Sequence, residues 1–221
     1  MTQAAKKRRM SDIVAELERL YPDATCALEY GGEPWRLMVM ARLSAQCTDA
    51  RVNEVCRELF SRFPTLDALA DAPLEEIASI VKPCGLWNTK SDNIKQECIM
   101  LRDEYGGIVP DDMDELLRLP GVGRKIANLL LGDIYGKPAI VADTHCIRIC
   151  GRFGMYPTDL KDAHRVERIM SELVEPEKQS DFCHRIVQFG RDICIARSHR
   201  CMECPLRGIC DFGSSKKGKK S

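Results

Sequence analysis

Apolar residues recur along this chain at the three- and four-residue spacing that places them on one face of a helix. Ile13, Leu17 and Leu20 form such a stripe behind Ser11, a suitable N-cap, and ahead of Pro22, which stops a helix. The same spacing continues at Val52, Val55, Leu59 and Phe63. No stretch of the sequence alternates apolar and polar residues as a half-buried strand does. The pattern therefore predicts an all-α protein of about nine short helices.

The predicted helices follow one another with short connections. Continuous apolar content marks residues 35–46 as a buried helix, and Gly106-Gly107 ends a long amphipathic segment over residues 89–105. The other segments with a helical period are residues 49–63, 73–85, 114–119, 124–136, 143–154, 160–175 and 179–194. Neither an internal repeat nor a linker interrupts this series, and the length suits one large domain or two small ones.

The basic residues are concentrated at the two ends of the sequence. Lys and Arg number 33 and Asp and Glu number 33, so the formal net charge is zero. Residues 6–9 and 216–220 hold eight of the bases and no acid, which leaves 25 bases against 33 acids elsewhere. Charge alone therefore does not indicate a nucleic-acid-binding protein, and such binding requires a local basic face. We expect both basic ends to be disordered and solvated.

Hydropathy along the chain bears on its compartment. No apolar run approaches the roughly 18 residues that a membrane helix needs, and the basic N-terminus lacks the apolar core of a secretory signal. We therefore expect an intracellular protein with reduced thiols, cytoplasmic and associated with the nucleoid in a microbe, or nuclear or mitochondrial in a eukaryote.

Four of the 12 cysteines are clustered near the end of the sequence. Cys194, Cys201, Cys204 and Cys210 are separated by six, two and five residues. This spacing predicts one metal site with four thiolate ligands. It leaves zinc and an iron–sulfur cluster open, because zinc sites usually have a second close pair of cysteines and the spacing also differs from the common ferredoxin motifs. The scattered cysteines are expected to be small buried hydrophobic residues: Cys26, Cys47, Cys56, Cys84, Cys98, Cys146, Cys150 and Cys183.

A glycine-containing break joins two apolar helical segments at Leu119-Pro120-Gly121-Val122-Gly123. Pro120 ends the first helix, and the glycines permit a sharp turn with a bare backbone. The next helix then starts with free N–H groups and the positive end of its dipole exposed, which is a ready site for a phosphate. A plain tight turn in a helical bundle is the alternative interpretation of a lone Gly-x-Gly.

Several motifs together resemble one enzyme family. The stretch LPGVGRKIA resembles the helix–hairpin–helix of the DNA glycosylase superfamily, which carries an aspartate downstream, here Asp143 in VADTH. The stretches LSAQCTDARVN and GLWNTKSDNI and the cysteine spacing resemble those of the endonuclease III family. The resemblance spans roughly Ser11 to Cys210. Small departures from the family pattern, none of which removes a reacting group, are Cys47, Ser91, Ile126 and Ala142.

The resemblance implies an all-α fold of two helical lobes. One is a six-helix barrel domain over residues 28–138 that carries the helix–hairpin–helix. The other is a discontinuous cluster domain of residues 1–27 and 139–221, in which the four clustered cysteines hold a 4Fe–4S cluster with a structural and DNA-positioning role. Double-stranded DNA with a damaged base or abasic site is expected to lie in a cleft between the lobes of a monomer, with Lys125 and Asp143 facing each other across it.

The resemblance also assigns roles to individual residues. Lys125 becomes the nucleophile that attacks the sugar C1′, although alone it would be a surface lysine that binds phosphate. A cation in the first helical turn is opposed by the helix dipole, which favours the free amine that an attacking lysine needs. Asp143, also a plausible N-cap, is expected to stabilise the positive sugar. The residues expected to contact DNA are Gln46, which fills the hole left by the flipped base, Leu86, which wedges into the stack, and Gly121, Val122, Gly123, Arg197 and Arg200.

The function implied is a bifunctional DNA glycosylase and abasic-site lyase acting on oxidised pyrimidines in base excision repair. Three alternatives remain: a same-fold glycosylase for mismatched or alkylated bases, a non-catalytic module that binds damaged DNA, and a zinc-bound structural protein. The presence of both Lys125 and Asp143 argues against a pure binding module, which needs neither together.

Overall fold

The computed structural model describes residues Met1–Ser215, and the regular structure of this part is entirely helical, which confirms the all-α prediction. Its α-helices are α1 (Gln3–Leu20), α2 (Pro34–Leu43), α3 (Asp49–Arg62), α4 (Leu66–Asp71), α5 (Leu74–Val81), α6 (Trp87–Tyr105), α7 (Met113–Arg118), α8 (Arg124–Tyr135), α9 (Thr144–Arg152), α10 (Ala163–Leu173), α11 (Gln179–Asp192) and α12 (Asp211–Ser215). Single 3₁₀ turns lie at Lys82–Cys84, Pro176–Lys178 and Arg207–Ile209. Among the described helices, none has both the length and the apolar character to cross a membrane.

Side-chain caps explain where many of these helices begin. The hydroxyl of Thr48 accepts from the third backbone N–H of α3, and Thr65 does the same for α4. Asp112, Asp143 and Asp162 cap α7, α9 and α10 in the same way. The described chain has twelve α-helices rather than about nine. Helices α4 and α12, at six and five residues, have no counterpart in the prediction because they are too short to produce a clear apolar period.

The N-terminal basic run is helical, so the expectation of a disordered end is wrong for residues 6–9. Helix α1 begins at Gln3, well before Ser11, and Thr2 caps it. Lys6 Nζ donates to the carbonyl oxygen of Met155 at 2.6 Å. Arg9 pairs with Asp211 at 2.6 Å, so bases that look solvated in the sequence have partners far along the chain. The basic run at residues 216–220 lies outside the described residues.

The chain divides into two compact units, each described here by itself. The central unit is Cys26–Tyr135, and the terminal unit combines Met1–Thr25 with the chain from Gly136 onward. These boundaries differ by two or three residues from the limits at 28 and 138 that the resemblance predicts.

The terminal unit is built around the apolar face of α1. Its core contains Met10, Ile13 and Leu17, all fully buried, against α10 and α11. The rings of Phe153 and Phe189 stack within this core with centroids 6.0 Å apart. Each such buried ring or aliphatic side chain contributes about 1.5–3 kcal/mol through burial.

The central unit packs its helices around α2, the apolar run that the sequence marks as buried. Leu37, Met38 and Val39 are fully buried, which requires neighbours on every side of this helix. Helix α6 packs along α4 and α5 and also contacts α2. Of the scattered cysteines, six are buried as expected, whereas Cys26 and Cys47 are only half-buried.

Candidate functional site

The hairpin between α7 and α8 has the geometry that its glycines predict. The chain turns back over residues 119–123, and the N–H of Val122 donates to the Leu119 carbonyl at 3.1 Å. Gly121 has φ +77°, a left-handed conformation in which a side chain would be strained. The side chain of Val122 is buried and anchors the turn to the central unit.

The two glycines of the hairpin serve different purposes. A Cβ at Gly121 would lie 2.8 Å from Nε of Arg42 and 3.1 Å from Cβ of Asn93, so this glycine allows the turn to pack closely. Arg42 Nη1 in turn donates to the Gly121 carbonyl at 3.2 Å. A Cβ at Gly123 would meet no atom within 4 Å. Gly123 therefore leaves the start of α8 bare on its outer side, where an anion can reach the backbone N–H groups.

A buried carboxyl group lies near Arg42 in the central unit. Glu97 on α6 is fully buried, and neither of its carboxyl oxygens has a hydrogen-bond partner among the described residues. Burial raises the pKa of the Glu97 carboxyl well above its ordinary value, and the positive charge of Arg42 opposes this shift only in part. Glu97 therefore keeps its proton at pH values where a free glutamate has lost it.

Glu97 makes the stability of the central unit depend on pH. Above the ordinary glutamate pKa of 4.5, the unfolded chain releases a proton that the folded chain retains, so rising pH favours unfolding. We expect the free energy of unfolding to fall by about 1 kcal/mol or more between pH 5 and pH 8, since one pKa unit corresponds to about 1.4 kcal/mol. Glu97→Gln should remove this decline in urea titrations, and Glu58→Gln, at an exposed position, should retain it. A decline that persists in Glu97→Gln would assign it to other groups.

The candidate nucleophile occupies the first turn of α8. Lys125 follows Gly123 by two residues, and its side chain is exposed. The amine therefore projects from the helix end where the hairpin can hold a phosphate, and it is accessible to a bound nucleotide.

The candidate carboxylate caps α9, as the sequence predicts. Asp143 Oδ1 accepts from the backbone N–H of Cys146 at 2.7 Å, and the Asp143 N–H donates to the Val141 carbonyl at 2.8 Å. The cap fixes the orientation of a half-buried carboxylate. Its charge is thus held in place rather than moving with a free side chain.

Two exposed side chains stand on left-handed backbone. Gln46, between α2 and α3, has φ 56°, and Leu86, directly before α6, has φ 50°. They are the two non-glycine residues with positive φ in the described chain. The Leu86 side chain is 59% exposed, which is unusual for a large aliphatic residue. Left-handed backbone costs a residue with a side chain about 1–2 kcal/mol, and strain of this kind is typical of functional sites.

A buried lysine that the sequence pattern does not single out connects the segment before Gln46 with the segment before Leu86. Lys90 on α6 is 1% exposed, and burial lowers the pKa of its amine. Its Nζ donates to the carbonyl oxygens of Leu43 at 2.8 Å, Ala45 at 2.7 Å and Cys84 at 2.8 Å. The hydrophobic pattern gives no signal for this lysine, because the residues beside it in the sequence are polar.

The four clustered cysteines line one cavity of the terminal unit. Its lining includes Cys194, Cys201, Cys204, Cys210 and Phe212. All four are free thiols, and burial raises the pKa of Cys204 to about 11. Thiols packed in this way can ionise together only when cations neutralise them, so the donor set fits a metal centre.

Hydrogen-bond donors reach two of these sulfurs. Arg152 Nη1 donates to Sγ of Cys194 at 3.2 Å, and the backbone N–H of Gly213 donates to Sγ of Cys210 at 3.4 Å. Donors of this kind stabilise thiolate ligands around a metal centre.

The four clustered cysteines share this cavity. Within the described chain, no group of three or more His, Cys, Asp or Glu side chains is close enough together to hold a single metal ion.

The structure distributes the candidate residues over both units. Gln46, Leu86, the hairpin and Lys125 belong to the central unit, whereas Asp143 and the four clustered cysteines belong to the terminal unit. Arg197 and Arg200 are exposed on the loop between Cys194 and Cys201. That loop therefore presents two cations to solvent beside the cysteine-lined cavity.

Comparisons with known proteins agree with these features. The profile of the HhH-GPD superfamily base excision DNA repair protein family matches residues 39–176. The endonuclease III of Synechocystis sp. is 41% identical over 208 residues, which are 94% of this chain and 94% of the relative.

Two solved structures resemble this chain in both fold and sequence. A non-covalent endonuclease III–DNA complex aligns with a TM-score of 0.90 and 39% identity over 96% of this chain and 99% of its own. A trapped endonuclease III–DNA covalent intermediate, an estranged-adenine complex, aligns with a TM-score of 0.89 and 39% identity over 95% and 97%. The chain therefore belongs to the endonuclease III family, whose members are DNA glycosylases and abasic-site (AP) lyases of base excision repair.

Proposed function

We propose that this chain removes oxidised pyrimidines from double-stranded DNA and cuts the strand at the resulting site, with Lys125 as nucleophile. The observation that carries this proposal is the exposed amine of Lys125 in the first turn of α8, two residues after the bare backbone of Gly123. A phosphate held at the hairpin would bring the neighbouring sugar within reach of this amine.

The proposed reaction runs through a covalent bond between the Lys125 amine and the sugar C1′. Lys125 attacks C1′ of the flipped nucleotide, the bond from C1′ to the base breaks, and the base leaves with the electron pair and takes up a proton. The sugar ring then opens as the C1′–O4′ electron pair moves to O4′, which leaves a Schiff base between C1′ and the lysine. Loss of a proton from C2′ expels the 3′ phosphate by β-elimination, and hydrolysis of the Schiff base restores the lysine.

We propose that Asp143 acts electrostatically on the same nucleotide. Its carboxylate stabilises the positive charge that develops on the sugar and accepts the proton that the attacking lysine loses. The cap bond to Cys146 supports this role, because an oriented charge needs no rearrangement during the reaction.

Asp143→Asn should separate catalysis from capping. Asn is about as good an N-cap as Asp, so we expect the free energy of unfolding to change by less than about 0.5 kcal/mol. We expect single-turnover base excision to slow by about 100-fold or more, which is the usual contribution of a positioned acid or base. Asp143→Ala provides the comparison, since it should lose about 1 kcal/mol of stability as well. Wild-type rates in Asp143→Asn would reduce Asp143 to a helix cap.

The four clustered cysteines are proposed to hold a 4Fe–4S cluster. Support comes from the shared cavity and from the donors to Cys194 and Cys210. Such a cluster would supply cross-links between α11 and α12 rather than chemistry in turnover. We propose that the exposed Arg197 and Arg200 contact DNA phosphates beside it.

Gln46 and Leu86 are proposed to enter the duplex when the damaged base leaves it. An exposed aliphatic side chain can wedge between base steps, and an amide can replace the hydrogen bonds of the missing base. The left-handed backbone and the exposure of both residues support this role, because strain of this kind is typical of functional sites.

Strand cleavage on a set of defined duplexes tests the substrate class. We expect efficient cleavage of a duplex with one thymine glycol and little cleavage of duplexes with a mismatched thymine or an alkylated adenine. The reverse order would favour a same-fold enzyme for those bases. Binding to every damaged duplex without cleavage of any, including one with an abasic site, would favour the binding module.

A further inference from the structure

The buried amine of Lys90 connects the two segments that carry the strained residues. Its carbonyl partners are Leu43 at the end of α2, Ala45 directly before Gln46, and Cys84 two residues before Leu86. Lys90 lies on the first turns of α6, which begins immediately after Leu86. One side chain thus ties the segment at the end of α2 to the turn that leads into α6.

The hydrogen bonds of Lys90 are complete. An ammonium group has three N–H donors and no acceptor, and each donor reaches one carbonyl oxygen. Charge-assisted hydrogen bonds of 2.7–2.8 Å are strong, which offsets the cost of burying the charge. Removal of the ammonium would leave three carbonyls unsatisfied on two different loops, so neither loop would keep its present backbone unaided.

We propose that Lys90 is a positioning residue that makes Gln46 and Leu86 enter DNA as one unit. This inference rests on the proposed function of those two side chains. The backbone conformations of both residues are unfavourable on their own, and such conformations persist only when the surroundings fix them. Lys90 fixes the residue directly before Gln46 and the turn that leads into Leu86, so displacement of one segment is transmitted to the other.

Lys95 offers a matched control on the same helix. Its Nζ donates to the carbonyl oxygens of Ala70, in the last turn of α4, at 3.1 Å and of Ala72, between α4 and α5, at 2.6 Å. Lys90→Met and Lys95→Met therefore each remove a lysine that binds backbone carbonyls, and only the first removes one that binds the segments of Gln46 and Leu86.

The test uses the full chain and compares two abasic substrates. Borohydride trapping is followed on a duplex with one abasic site and on a single-stranded oligonucleotide with the same site, where no base stack must be opened. We expect Lys90→Met to slow trapping on the duplex by about 10- to 100-fold, the usual effect of a small misplacement. We expect its rate on the single strand, and both rates of Lys95→Met, to stay within about twofold of wild type. Equal losses on both substrates, or no loss on the duplex, would overturn the coupling role.

A fluorescence measurement separates this inference from the proposed function. The fluorescence of a 2-aminopurine placed opposite the abasic site reports opening of the base stack, whether or not a Schiff base forms. We expect the fluorescence change on protein binding to be smaller with Lys90→Met than with the wild type, and to be retained with Lys95→Met. If the wild type traps neither substrate, the proposed function fails, and this signal alone decides the coupling.

A double-mutant cycle covers the case in which Lys90→Met does not fold. Gln46→Ala, Leu86→Ala and the double variant leave Lys90 and its three carbonyl partners in place. Joint insertion predicts that the double variant loses much less duplex trapping than the product of the single losses. Independent, multiplicative losses would contradict the proposal.

Discussion

Lys125→Arg and Lys125→Ala should both lose borohydride trapping on every damaged or abasic substrate, by at least about a thousandfold. The loss is this large because the amine supplies the bond that defines the covalent pathway, and no other interaction substitutes for it. Arginine keeps the positive charge for phosphate binding, yet it stays protonated and cannot form the Schiff base at neutral pH. The measurement is the yield and rate of covalent protein–DNA complex on a thymine glycol duplex and an abasic duplex.

The arginine variant decides between the two roles of this lysine. If Lys125 only binds phosphate, Lys125→Arg should trap DNA as well as the wild type does. Arg124→Ala serves as the control, because it removes the adjacent cation of the same helical turn without touching the amine. We expect it to weaken DNA binding, with a salt dependence reduced by about one phosphate contact, and to leave the trapping rate at saturating protein nearly unchanged.

Cys204→Ser should remove the metal centre and unfold the end of the terminal unit. The wild type should be yellow-brown with about four irons per chain, and the variant should be colourless. We expect a loss of several kcal/mol in stability, because metal binding free energy contributes directly to folding where little core is present. The measurements are visible absorption, iron and zinc content, and thermal unfolding followed by circular dichroism.

Cys26→Ser is the matched control for this loss. Cys26 is half-buried like Cys204, but it belongs to the central unit and does not line the cavity. Colour and iron content should remain in this variant. A colourless wild type with one zinc per chain would contradict the cluster.

Much of the fold follows from local patterns in the sequence. The apolar stripe through Val52 and Leu59 predicts α3 because a 3.6-residue period brings these side chains to one face. The hairpin is visible because Gly121 must adopt a conformation that other residues avoid. The Asp143 cap is visible because its carboxylate directly precedes a helical run.

Features that depend on partners far away in the sequence cannot be predicted from such local patterns. The basic residues of α1 look like a solvated end, since the partners of Arg9 lie 144 and 202 residues away. Lys90 looks like a surface lysine for the same reason, as two of its three acceptors lie 45 and 47 residues away. The motif resemblance implies roles for Gln46 and Leu86, but only coordinates reveal that both stand on left-handed backbone.

The terminal unit is formed by two stretches of sequence, one before and one after the central unit, and this imposes an order on folding during protein synthesis. The central unit is contiguous, so it can fold as soon as Tyr135 has left the ribosome. Helix α1 is made before the central unit, yet its buried face of Met10, Ile13 and Leu17 packs on α10 and α11, which are made after the central unit. At ordinary elongation rates this amphipathic helix waits roughly ten seconds for its partners. The buried face of α1 is therefore exposed to proteases and holding chaperones until then, and the proposed cluster could be inserted only after its four cysteines have emerged.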